Sequence, residues 1–171
     1  MKDFLKNLYK YLYNTEILPV PAMPVVAPKL PPVKSNSEKF MDICLEAYGT
    51  DPTPKDEVPD EVSCVFSITT LLKKLYPDFP ILDYTPTMLR QLQSDKRFKA
   101  TTEFKEGNII ISVTNTGNGR WQGHVGTCAK GGKILSNSSL TGEWSDKFDN
   151  LSWIQRYSRE SQLATYLFEL V

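Results

Sequence analysis

Apolar residues recur at three- and four-residue steps near the start of the chain: Phe4, Leu5, Leu8, Tyr9 and Leu12. That spacing predicts a short amphipathic helix over residues 1–15, with Lys2, Lys6 and Lys10 threaded among the apolar positions. The periodicity stops in residues 16–36, which hold Pro19, Pro21, Pro24, Pro28, Pro31 and Pro32. Proline fixes φ and has no amide hydrogen, so this stretch reads as an extended, polyproline-like linker. Helical spacing resumes with Phe40, Ile43, Cys44 and Ala47, predicting a helix from Ser37 to Tyr48 that Gly49 stops. After a loop with Pro52, Pro54 and Pro59, Ser63 can cap a helix through Leu75 that Pro77 closes. Thr85 similarly caps a helix from Pro86, at its first position, to about Ser94.

The pattern changes after Asp95. Residues 109–113, 125–129 and 133–136 read as strands, the last two joined by a Gly131-Gly132 hairpin turn. Asn115, Gly117, Asn118 and Gly119 form a loop before the second of them. A helical segment near Leu151 to Tyr157 and a strand near Thr165 to Leu170 complete the chain. Helices first and antiparallel strands second predict an α+β fold, with residues 37–171 as its one domain.

Composition narrows the function classes. The 171 residues include 20 Lys plus Arg and 20 Asp plus Glu, so the net charge is zero. The basic surplus of a nucleic-acid binder is missing, and nucleic acid is not an expected partner. Three cysteines leave at least one thiol free, and a single histidine with no Cys-x-x-Cys pair argues against a zinc site. No apolar run is long enough to span a bilayer, and the threaded lysines leave the start without a signal-peptide hydrophobic region. The chain is therefore expected to fold in a reducing cytoplasm, without metal or organic cofactor.

Two residues carry candidate chemistry. His124 is the one histidine, set in Gly123-His124-Val125-Gly126, and is the sole candidate for an imidazole base. Cys64 stands at the start of a predicted helix, where free amide hydrogens and the macrodipole favour a thiolate. The same amides could stabilise the oxyanion of a tetrahedral intermediate. A third group, to accept the imidazole's other N–H, is sought in Leu135-Ser136-Asn137-Ser138-Ser139. Side chains alternate along a strand, so Ser136 and Asn137 cannot both face inward unless the strand ends there; asparagine is the stronger acceptor. Cys44 and Cys128 read as core.

From about Lys39 to Val171 the chain resembles NlpC-type papain-like cell-wall peptidases and, more closely, small bacteriophage endolysins. The resemblance rests on Val62-Ser63-Cys64 entering a helix and residues 104–112 entering the sheet. Gly117-Asn118-Gly119-Arg120 before the Gly-His-Val-Gly strand, and residues 134–142 after it, add to it. Trp153 and Tyr157 match the aromatic helix such endolysins carry near their end. The chain departs from the pattern at Ser63, where an aspartate is usual, and at Ser136, where the third residue is often histidine.

The resemblance implies a papain-like core whose Cys64 and His124, oriented by Asn137 or Ser136, cleave an amide bond of the peptidoglycan stem peptide. Endopeptidase and N-acetylmuramoyl-alanine amidase activities both remain open. Such a protein would be made in the host bacterial cytoplasm and act on the cell wall in the periplasm, or travel with the virion. The basic N-terminal arm would then dock on a membrane surface or a virion protein. The rival readings are a cysteine amidase or transglutaminase effector acting on protein, and a virion structural protein with a papain-like shell.

Overall fold

The structure is a computed structural model that describes residues 33–53, 58, 63–113 and 123–171. The expected helix over 1–15, most of the linker over 16–36 and the loop over 115–119 lie outside the described residues.

Helix α1 (Asn36–Glu46) begins earlier than its apolar spacing predicts, because Ser35 rather than Ser37 is its cap. Ser35 Oγ accepts the Glu38 N–H, and the Glu38 carboxylate accepts the Ser35 N–H at 2.7 Å, a reciprocal box that satisfies two end donors. Ser37 is buried instead, its hydroxyl bonded to the backbone of Leu170. Past the helix end Gly49 takes a φ of +74°, the left-handed conformation in which glycine carries no Cβ penalty. Helix α2 (Cys64–Leu75) has the expected bounds, but Ser63 makes no capping bond with its side chain. In α3 (Thr85–Ser94) Tyr84 occupies the cap position, so Thr85 is the first helical residue and Pro86 the second.

Among the described residues six strands follow: β1 (Phe98–Thr101), β2 (Ile109–Val113), β3 (His124–Cys128), β4 (Lys133–Asn137), β5 (Trp144–Asp149) and β6 (Ala164–Leu170). They form one antiparallel sheet in the order β1-β6-β2-β3-β4-β5. Between β5 and β6 runs α4 (Asn150–Trp153), which continues as a π-helical turn over Ile154–Glu160. The β3–β4 connection turns through Gly131 and Gly132, both at positive φ. The short edge strand β1 and the bulged strand β5 go beyond the sequence reading.

All five residues of β2 and of β3 are buried, because both faces of the sheet are covered. On one face Ile109, Ile111, Val125, Leu135 and Phe168 pack against Phe40 and Cys44 of α1, Ile68 and Leu72 of α2, and Met88 and Leu92 of α3. On the other, Ile110, Cys128, Ile134 and Leu167 lie under Trp153, with Phe148, Ile154 and Tyr157 beside it. Each fully buried aliphatic side chain contributes roughly 1.5–3 kcal/mol, so these two layers fix the sheet between its helices. Residue parity then decides which face each candidate side chain meets. Among the described residues no helix is long and apolar enough to cross a membrane.

Candidate active site

Gly123 and Gly126 place the histidine strand. A Cβ on Gly123 would stand 2.2 Å from Thr85 Oγ1, and one on Gly126 2.6 Å from the Leu135 carbonyl oxygen. Only glycine lets β3 approach α3 and β4 this closely. His124 lies between the two glycines and opposite Ser112, on the sheet face that meets the aromatic layer. Its ring stacks on Trp153 (centroids 5.3 Å apart, planes 29° apart) and on Tyr157 (5.4 Å, 24°), with the Phe148 ring edge-on at 6.1 Å. Trp153 is itself anchored: its Nε1 donates to Ser112 Oγ at 2.9 Å, and Ser112, Thr165 and Ser158 continue as a chain of hydroxyls.

Cys64 opens α2, and the backbone N–H groups of Val125, Val65 and Cys64 itself lie near enough to its sulfur to favour the thiolate. The first of these belongs to the residue directly after His124. Cys64 is partly exposed, whereas Cys44 and Cys128 are buried. Cys64, His124, Asn137, Lys147 and Tyr157 line one cavity of about 330 Å³, together with Gly123, Phe148 and the segment 138–140. The nucleophile and base expected from the sequence thus share a cavity.

The electrostatics differ from the expectation at Cys64. Burial pushes the thiol up to about 11, outweighing the three backbone donors that favour the thiolate. Burial also moves His124 down to about 4. Both shifts favour a neutral thiol and a neutral imidazole over a thiolate and an imidazolium, because a charge on either buried group would lack solvating water. The helix start alone does not activate this cysteine. Tyr157, raised by burial and by the charge a thiolate on Cys64 would carry, keeps its phenol proton.

The expectation that Asn137 or Ser136 orients the imidazole is not met. Asn137 uses both ends of its amide elsewhere: Oδ1 accepts from Ser63 Oγ at 2.8 Å and Nδ2 donates to the Gly142 carbonyl at 2.7 Å. It stands on the helical side of the sheet, where it ties the 138–142 turn to Ser63, the residue before Cys64. Ser136 faces the same side as His124 but sits across from Gly126, two residues along β3. Among the described residues no side chain is hydrogen-bonded to the His124 ring. Stacking on Trp153 and Tyr157 sets its plane instead.

Four residues that pack on His124 or line the cavity are not assigned to the site by the sequence alone. Trp153 and Tyr157 are spaced to share a helix face, a detectable signal, but their reach across the sheet to His124 is tertiary. Ser138 follows Ser136 by two and so shares its parity, also a usable signal. Lys147 had none, because a bulge in β5 decides its direction. Among the described residues no cluster of three or more potential metal ligands occurs. In comparisons with known proteins, no family model matches the chain and no curated protein matches it.

Proposed function

We propose that this chain is a cysteine hydrolase that cuts an amide bond of the peptidoglycan stem peptide, with Cys64 as nucleophile and His124 as base. The observation that carries the reading is the shared cavity: a partly exposed cysteine at a helix N-terminus opens onto the same space as the one histidine. The cell-wall substrate comes from the resemblance to the endolysins; the chemistry comes from the cavity.

Because both groups are neutral at rest, the thiol proton passes to His124 as sulfur attacks the carbonyl carbon, in general-base fashion. The carbonyl oxygen takes the negative charge beside the backbone amides at the start of α2, which are oriented before substrate arrives. His124 then gives the proton to the leaving nitrogen, the C–N bond breaks, and a thioester to Cys64 remains. Water, deprotonated by His124, hydrolyses the thioester and restores the thiol.

Zymography on purified cell walls tests the reading. A clearing band in the natural protein that disappears in Cys64→Ala and in His124→Ala is the expected result. A folded natural protein that clears no wall preparation, or a Cys64→Ala protein that clears as well as the natural one, overturns it.

A further inference from the structure

The charge of the cavity is one-sided. Among the described residues no aspartate or glutamate lines it, its histidine is neutral, and Lys147 supplies an ammonium group. Among the described residues no carboxylate lies within ion-pair distance of Lys147 Nζ, although four other basic side chains have such partners.

The backbone aims this lysine. Ser136 pairs with Ser145 and Ile134 with Phe148, so Asp146 and Lys147 together oppose the single residue Leu135. This β-bulge splits the two side chains: Asp146 turns to accept the Tyr48 hydroxyl at 2.7 Å, and Lys147 turns into the cavity. There Nζ donates to the hydroxyl of Ser138, a buried residue whose Oγ also accepts from the N–H groups of Leu140 and Thr141. An ammonium has three donors, so two remain for a ligand. The amine is thus held over the cavity lined by Cys64, with no carboxylate partner among the described residues.

We propose that Lys147 is a specificity-determining residue that binds a free carboxylate on the substrate residue adjoining the amide presented to Cys64. The site assignment rests on the hydrolase reading only for the identity of that amide; the anion site itself requires no turnover. An uncharged substrate would leave the ammonium facing the cavity without a counter-charge. A carboxylate supplies the charge and accepts both remaining N–H groups.

Equilibrium binding tests this without catalysis. The full chain carrying Cys64→Ala is titrated calorimetrically with a γ-glutamyl stem-peptide fragment whose α-carboxylate is free, and with the same fragment as its α-carboxamide. The expected preference for the carboxylate is about tenfold, kept in Lys147→Arg and reduced to about unity in Lys147→Gln. Equal affinities for the two fragments, no binding of either, or a preference that survives Lys147→Gln overturns the proposal. Failed zymography together with Lys147-dependent binding removes the hydrolase reading alone. Lysis with no carboxylate preference removes this one alone.

Discussion

The buried, neutral His124 makes a prediction that can be worked through. Its side chain is buried against Trp153 and Tyr157, and its pKa falls from the ordinary 6.5 to about 4. In the unfolded chain the imidazole takes up a proton as pH drops below about 6.5, while the native state resists until about 4. The native state therefore has its full stability above about 6.5, loses it progressively between there and about 4, and loses no more to this group below. At about 1.36 kcal/mol per pKa unit the loss comes to about 3 kcal/mol, a large share of a typical domain's stability. Carboxylates held low in the native state, such as Asp95 beside Arg97 and Asp149 at the α4 cap, also cost stability in acid. A His124→Gln variant keeps those and removes the imidazole, so the difference between the two proteins isolates His124. Urea unfolding at half-unit pH steps, followed by tryptophan fluorescence, gives both curves. The natural protein should lose about 3 kcal/mol more than the variant between pH 7 and pH 4. Parallel curves, or an NMR titration placing the single histidine at or above 6.5, would refute the neutral pair and return the site to a thiolate–imidazolium description.

Iodoacetamide should label Cys64 faster than Cys44 or Cys128, which are buried and raised to about 12, and peptide mass spectrometry after timed quenching ranks the three. Because the Cys64 thiol itself titrates near 11, its labelling rate should climb with pH well beyond neutrality rather than level off at pH 7. Asn137→Ala should destabilise the fold by roughly 1–3 kcal/mol, since it strips partners from Ser63 Oγ and the Gly142 carbonyl, while leaving the NMR pKa of His124 in place. A shift of that pKa on Asn137→Ala would restore the orienting role that the hydrogen bonds deny it.

Much of the framework is local and was legible in the sequence. The spacing of Phe40, Cys44 and Ala47 puts an apolar stripe on α1, Pro77 ends α2, and the Gly131-Gly132 pair turns β3 into β4. These are properties of a few neighbouring residues, so periodicity and turn chemistry suffice. The placement of Cys64 and His124 was legible for a different reason: His124 is the one histidine, and of the three cysteines Cys64 is the one set at a helix start.

What only the tertiary structure decided depends on residues far apart in the chain. The bulge that hid β5 from period-two reading arises from pairing with β4, and it alone turns Lys147 toward the cavity. The side that Asn137 faces follows from strand register, and its partners Ser63 and Gly142 come from two separate elements. The sequence placed Cys64 at a helix start, where the local field favours a thiolate. Packing of that start against β3 took much of the water away from the sulfur, and desolvation outweighed the field. Helix-start chemistry is local, whereas removal from water is the sum of every element packed around the group, and no stretch of sequence carries that sum.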